Sequence, residues 1–380
     1  MNSGIFESIR PFNDSEVEAA IGRIVANPLI NEVAPYLFPK GGGDKFIEVL
    51  RSCKNIEDFQ LKIMYSAVRR ILEDTAHNLS FSGIENFKEG SRYLLISNHR
   101  DIVLDSAIIQ IILADHNIPT TEIAVGDNLM VSSFIEDITR INKMVKVIRS
   151  TSPREVYTTS KVLSEYIRRS VSEAKSSMWL AQRNGRTKDG IDITEQGLLK
   201  MLAMSGGKDF VKSFSELNIL PVSISYEYEP CDYLKAMEVY ISRRQKYVKS
   251  KNEDLNSILT GIMQFKGDIH ISFTNSLQIN DIEPAADLDN NDKFQYLASV
   301  IDKRVNSNYH LFKSNYIAYD MLNNSTEYAD KYTLEEKDKF QSYVNLKLEK
   351  VEVDRAEIEE IFLSIYANPV KISMVIPNGL

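Results

Sequence analysis

The chain has 380 residues, of which 43% are hydrophobic and 26% charged, a composition typical of a soluble globular protein with one large domain or two. Its formal net charge of −8 argues against a general nucleic-acid-binding protein, and no apolar run approaches the about 18 residues that span a bilayer. The two cysteines, Cys53 and Cys231, form no CxxC pair and predict neither a zinc site nor a disulfide framework. We therefore expect a cytoplasmic protein from a reducing compartment.

Residues 1–78 predict a helical N-terminal cap without strands. Residues 15–18 have the sequence of a capping box, and apolar residues recur behind it at helical spacing. A later helical pattern over residues 59–72 carries Arg69 and Arg70. This basic pair either lies on a solvated helix face or contacts anionic lipid.

Residues 79–280 predict an α/β domain, because strand-like segments alternate there with helical patterns. Alternation of this kind favours a mixed, mostly parallel sheet flanked by helices on both faces. Residues 281–380 are again helical and highly charged, and predict a helical C-terminal extension. The seven strand-like segments are LSFSGI, YLLIS, TEIAVG, MVKVIR, SMWLAQ, ILPVSISYEY and DIHISFTNSL.

Residues 93–114 place a polar cluster between a buried strand and an apolar helix, which is where open α/β sheets usually carry their chemistry. His99 lies in this cluster, and Asp101 and Asp105 follow on one helix face. A histidine held by a carboxylate can act as a general base. The alternative is structural: Asp101 is an N-cap, and His99 is a polar residue at a strand end whose hydrogen bonds are satisfied. We expect Asp105 to be the partner, because an acid inside an apolar helix needs one and Asp101 can serve as a cap.

The loop at residues 182–190 is the second polar concentration. It carries three cations, Arg183, Arg186 and Lys188, and two glycines, between a buried strand and a helix. Guanidinium and backbone N–H groups can converge there on one anionic group. The loop is therefore either a phosphate clamp or a solvated basic turn.

The order of buried strand, Asn-His, acidic residues and apolar helix resembles the first motif of the glycerolipid acyltransferases. In that family a histidine and an aspartate separated by four residues form the catalytic dyad. Here Leu104 occupies the aspartate position, and Asp105 comes one residue later. The loop at 182–190 is similar to the third motif, in which an arginine grips the acceptor's phosphate. Gly185 matches that motif, and Arg186 comes one residue early.

Two further segments complete the family order. The strand MVKVIR, which ends at Arg149, resembles the second motif, an apolar strand whose final arginine faces the phosphate. Residues 220–226 resemble the fourth motif, a strand opened by proline, and their alternation predicts a half-buried strand. Together the four motifs span residues 93–226, a little over a third of the chain.

The resemblance implies transfer of a fatty acyl group from an acyl thioester, carried by coenzyme A or acyl carrier protein, to a hydroxyl of a glycerol phosphate or lysophospholipid in phospholipid biosynthesis. It implies His99 as base, oriented by Asp105 or Asp101, with no metal and no bound cofactor. It also implies transient peripheral contact with a membrane surface and no nucleic-acid partner. A non-catalytic lipid-binding protein of the same fold is the alternative, which the shifted aspartate and Asn184, in place of the family's glutamate, would support. The residues expected to bind the acceptor are Arg100, Arg149, Arg183, Gly185, Arg186 and Lys188.

Overall fold

The computed structural model describes residues 3–31 and 42–375, and its centre is a seven-stranded sheet with strand order β1-β7-β6-β2-β5-β3-β4. Each strand-like segment predicted from the sequence overlaps one of these strands. Their bounds are β1 Ala76–Ser82, β2 Leu94–Ser97, β3 Glu122–Gly126, β4 Met144–Val147, β5 Met178–Ala181, β6 Ile219–Tyr226 and β7 Gly267–Phe273.

All neighbouring strands run parallel except β6 and β7, which pair antiparallel. The predicted mixed, mostly parallel α/β sheet is therefore confirmed. Helices cover both faces, so the central strands need apolar side chains at successive positions. In β2, Leu94 and Ile96 enter the core on one face while Leu95 enters the core on the other. Strand β6 is buried along its whole length, so the expectation of a half-buried strand was wrong.

Sixteen α-helices surround the sheet in the described part of the chain. Helices α3 and α4 are joined by the π-helical turn Gln60–Tyr65, so that residues 56–75 form one continuous helix. The bounds are α1 Asp14–Ala26, α2 Gly42–Ser52, α3 Ile56–Phe59, α4 Ser66–Thr75, α5 Leu104–Asp115, α6 Ser133–Ile141, α7 Pro153–Ser172, α8 Gln196–Ala203, α9 Phe210–Ser215, α10 Asp232–Ser242, α11 Glu253–Met263, α12 Ile279–Ile282, α13 Asp292–Ser307, α14 Lys313–Asn323, α15 Leu334–Lys347 and α16 Arg355–Val375.

The helices form four hydrophobic clusters around the sheet. Helices α4 and α5 pack on one face, and α7, α8, α9 and α13 pack on the other. The N-terminal helices α1 and α2 pack against the continuous helix and α6, whereas α14 to α16 pack against α10. Strand β1 begins at Ala76, shortly before the predicted boundary at residue 78.

The carboxyl ends of β2, β5, β3 and β4 lie at one edge of the sheet because these strands are mutually parallel. His99 follows β2, the basic loop follows β5, and Arg149 follows β4. The topology therefore brings the first three sequence motifs to one edge, where α/β sheets commonly bind their ligands.

Candidate active site

His99 and Asp105 form a hydrogen-bonded pair at the carboxyl end of β2. The imidazole Nδ1 lies 2.9 Å from Oδ2 of Asp105, whose side chain is fully buried, whereas that of His99 is 14% exposed. The edge of the His99 ring packs against Trp179, with 5.8 Å between ring centroids. Because Nδ1 faces the carboxylate and donates to it, Nε2 is left as the basic nitrogen.

The Asp105 carboxylate accepts hydrogen bonds from three further donors. Oδ2 accepts from the backbone N–H groups of Arg100, at 2.6 Å, and Asp101, at 2.9 Å. Oδ1 accepts from the Tyr226 hydroxyl at 2.9 Å. Burial, together with the charge of Asp105, holds the pKa of Tyr226 well above its usual range, so this phenol remains a donor. Four donors thus stabilise the charged carboxylate and fix its plane.

Asp101 has a different role from Asp105. Its Oδ1 accepts hydrogen bonds from the backbone N–H groups of Val103, at 2.9 Å, and Leu104, at 2.8 Å, at the start of α5. These are donors that a helix N-terminus leaves unsatisfied. The two alternatives left open by the sequence are thereby separated: Asp105 contacts His99, and Asp101 caps the helix that carries Asp105.

Arg100 is buried beneath the site, which differs from its expected role as an acceptor-binding residue. Its guanidinium lies 2.5 Å from Asp192 Oδ2 and 3.3 Å from Glu229 Oε2, and it packs over the Tyr309 ring. Although burial opposes it, the two carboxylates raise the pKa of Arg100 well above its usual range. With 1% of the side chain exposed, Arg100 joins the β5 and β6 loops to the dyad and does not reach solvent.

Arg186 is buried and Lys188 is partly buried in the basic loop. Arg186 donates to Ser257 Oγ at 3.0 Å, and its other terminal nitrogen, Nη1, is buried without a hydrogen-bond partner. Lys188 forms an ion pair with Glu238. Burial, reinforced by the positive charge of Arg186, lowers the pKa of Lys188 to about 8. Two cations that repel each other inside a site are stabilised by an anion between them.

The remaining predicted residues lie at the rim of the same edge. Arg149 is exposed, and its guanidinium lies over Gly126 at the end of β3. The guanidinium therefore extends back toward β2. Strand β5 lies between β2 and β3, so β2 is roughly 10 Å from β3. Arg183 is half-buried. Gly185 forms an exposed turn at φ +74°, a conformation that glycine adopts without strain.

Helix α11 covers the site from the segment between β6 and β7. Ser257 accepts from Arg186, and a Cβ at Gly261 would lie 2.0 Å from Asp101 Oδ2, so this helix and the dyad loop are in close contact. The sequence did not single out Ser257, Asp192, Glu229 or Tyr226 as site residues. Of these, Tyr226 alone has a signal along the chain, since it ends a strand in the fourth motif.

An apolar cavity, partly open to solvent, lies between α5 and the continuous helix 56–75. It begins beside Val103 and Ser106, which flank Asp105 in the sequence, and extends along α5 to Ala114. The twelve residues from Val103 to Ala114 correspond to roughly 16 Å at the rise of an α-helix. Methionine, tyrosine and valine side chains from the continuous helix form its opposite wall.

One group in the described part of the chain has the geometry to hold a metal ion. The possible ligand atoms of His77, Glu227 and Asp268 lie within 4.8 Å of one another. These residues belong to the side of the sheet formed by β1 and β7, beyond β6 from His99. None of them contacts the dyad, so we assign the cluster no part in its chemistry.

The structure thus describes an α/β protein in which a buried carboxylate holds a histidine at the edge of the sheet, and part of the chain matches a known family. Residues 78–225 match the sequence model of the Acyltransferase family, a segment that contains the dyad and the basic loop. The match covers less than half of the chain, and it confirms the enzyme class predicted from the motif order.

A solved structure is also similar to the chain, although distantly. It is the 1-acyl-sn-glycerophosphate (LPA) acyltransferase PlsC from Thermotoga maritima, with a TM-score of 0.41 and 12% sequence identity over 76% of this chain and 93% of that chain. No curated protein gives a significant match to the sequence.

Proposed function

We propose that the protein transfers a fatty acyl group from an acyl thioester to a hydroxyl of a glycerol phosphate or lysophospholipid. The observation that carries the proposal is the 2.9 Å contact between His99 Nδ1 and Asp105 Oδ2, inside the segment that matches the Acyltransferase family. Coenzyme A or acyl carrier protein would carry the acyl group, and the product would enter phospholipid biosynthesis.

In this mechanism His99 Nε2 accepts the proton of the acceptor hydroxyl as its oxygen attacks the thioester carbonyl carbon. The tetrahedral intermediate then collapses, the carbon–sulfur bond breaks, and the imidazolium returns the proton to the leaving thiolate. Asp105 keeps Nδ1 protonated and stabilises the positive charge that develops on the ring. General-base catalysis of this kind typically contributes about two to four orders of magnitude in rate.

The basic loop would hold the acceptor's phosphate. Arg186 and Lys188 supply positive charge, and Nη1 of Arg186 is a donor that has no acceptor in the protein. Arg149 and Arg183, at the rim, would add further positive charge. An acceptor held by its phosphate keeps its hydroxyl against Nε2, which lowers the entropic cost of reaching the transition state.

The apolar cavity would take the acyl chain. Its lining is mostly apolar, as in most ligand pockets, and its walls would exclude water from the chain. The cavity begins at Val103 and Ser106, close to Asp105 in the chain, and we propose that an acyl chain lying in it directs its thioester carbonyl toward His99. The acceptor would approach from the opposite, basic side of the sheet edge.

The work of the enzyme would take place at the surface of a membrane. No described helix has the length and apolar character needed to cross a bilayer. Lysophospholipids and acylated products are amphiphiles, and a protein that handles them gains from reversible contact with a lipid surface. We therefore propose a cytoplasmic enzyme that binds the membrane peripherally.

The test incubates the protein with an acyl thioester and a panel of glycerol phosphates and lysophospholipids, and detects the new ester by mass spectrometry. His99→Ala is expected to lower the rate at least about 100-fold. His116→Ala is the matched control, because His116 follows the C-terminal end of α5, where it contacts the Ile112 carbonyl and packs against Phe81, away from His99. If the wild-type protein binds acyl thioester but forms no ester with any acceptor, the non-catalytic lipid-binding alternative replaces this proposal.

A further inference from the structure

Helix α11 presents three of its five large apolar side chains to solvent and its small residues to the protein, while Ile258 and Ile262 are partly buried. Leu255, Leu259 and Met263 are 57%, 45% and 60% exposed, whereas Ser257 and Gly261 are buried against the site. At 3.6 residues per turn the exposed stripe lies about 180° from the buried face. A surface helix normally buries its apolar stripe, so this inverted arrangement indicates that the stripe is covered by something else.

The segment before α11 is strongly basic. Residues 243–251, RRQKYVKSK, hold five cations and no acid in a protein whose net charge is −8. Arg243 and Arg244 contact Glu357. Lys249 contacts Asp254. Within the described residues, Lys246 and Lys251 are exposed and have no ion-pair partner.

An apolar stripe next to a basic segment fits the surface of an anionic bilayer. The apolar side chains can enter the boundary between headgroups and acyl chains, while the lysines remain at the level of the anionic headgroups. Val248, 79% exposed within the basic segment, adds to the apolar area. Attraction by local cations acts within a Debye length of about 8 Å, so the net negative charge of the protein does not prevent it.

The N-terminal cap, the earlier candidate for membrane contact, is less suited to this role. Arg69 is held by Asp115 and Tyr65, and Arg70 lies 3.5 Å from Asp74. Each of these cations therefore has a carboxylate partner and offers less charge to anionic lipid than Lys246 and Lys251.

We infer that residues 243–263, the basic segment and α11, dock the protein on an anionic lipid bilayer. The inference deepens the proposed function and rests on it for its purpose, because the buried face of the same helix contacts Arg186 and Asp101. Docking through α11 places Arg186 and the loop that carries Asp101 next to the lipid surface. An amphiphilic acceptor would then reach the dyad without crossing bulk water.

The experiment measures co-sedimentation with equimolar phosphatidylcholine–phosphatidylglycerol vesicles. Leu255→Ser combined with Met263→Ser is expected to weaken binding at least about tenfold, since burial of a large apolar side chain contributes strongly to partitioning. Lys246→Glu combined with Lys251→Glu is expected to weaken it similarly at low salt. The matched control is Leu334→Ser combined with Leu346→Ser, two leucines of α15 that are 80% and 70% exposed.

Three results would overturn the inference. The α11 variants bind as tightly as the control, or the wild-type protein does not bind these vesicles even at low salt. In the third, sedimentation velocity shows a dimer that the leucine and methionine changes abolish, which assigns the stripe to a second copy of the chain. Transfer to soluble glycerol phosphate from a short acyl thioester is measured in parallel. If the wild-type protein shows no such transfer, the result counts against the proposed function. If it shows transfer but does not bind vesicles, the result counts against the docking surface alone.

Discussion

Replacing Asp105 by asparagine tests the dyad most directly, because the change removes charge and keeps shape. The amide oxygen can still accept from His99 and from the two backbone N–H groups, while its NH₂ group donates to the Tyr226 oxygen. The hydrogen-bond geometry therefore survives. Unit charges 2.9 Å apart attract by about 6 kcal/mol at an effective dielectric constant of about 20. Allowing for partial compensation by neighbouring dipoles, we expect kcat to fall by about three to four orders of magnitude.

Asp101→Asn is the matched comparison, since it makes the same chemical change in the same loop. Its amide oxygen still caps Val103 and Leu104, so the rate is expected to remain within a few-fold of wild type. Single-turnover assays with saturating thioester measure the chemical step, and thermal unfolding confirms that both variants are folded. A rate for Asp105→Asn within tenfold of wild type, or a greater loss for Asp101→Asn, would refute the proposed role of Asp105.

Four further outcomes are expected. Arg186→Ala should raise the KM for phosphorylated acceptors about 10- to 100-fold and leave acceptors without phosphate unaffected, which steady-state kinetics would measure. The pKa of Lys188 is lowered to about 8, so its positive charge is lost as pH rises through 8; the KM for phosphorylated acceptors should increase above that pH, and Lys188→Arg should remove the increase. Ala107→Phe, which narrows the cavity, should shift the preferred donor toward shorter acyl chains in a competition assay. Burial, reinforced by the charge of His310, lowers the pKa of His270 to about 4. The neutral His270 side chain therefore contributes to the free energy of unfolding above its ordinary pKa of 6.5, and this contribution is lost as pH falls toward 4. After discounting for the partial exposure of His270, urea titrations should show a loss of about 1–2 kcal/mol over that range, and His270→Gln should reduce it.

Local sequence was sufficient for the elements and for the dyad. Each of the seven strands overlaps a segment predicted from apolar runs or alternation, because strand formation depends on a side-chain pattern within a few positions. The choice of Asp105 over Asp101 as the partner of His99 also agrees with the structure. It followed from a local argument: an acid on the apolar helix needs a partner, whereas one before the helix can cap it.

Tertiary structure alone decided which charged residues face the site. Along the chain Arg100 is as basic and as close to His99 as a ligand-binding residue would be. Asp192 and Glu229, 92 and 129 residues further on, bury it in ion pairs. Tyr226 reaches Asp105 across 121 residues because β6 pairs with β2, and the spacing of residues in the sequence does not specify that pairing.

The same limit applies to α11. Its leucines and methionine recur at helical spacing, a pattern that is equally typical of a helix packed in a core. Periodicity determines that one face is apolar, but the neighbouring elements determine which way that face points. Here Ser257 and Gly261 permit close approach to Arg186 and Asp101, and this contact turns the apolar stripe outward.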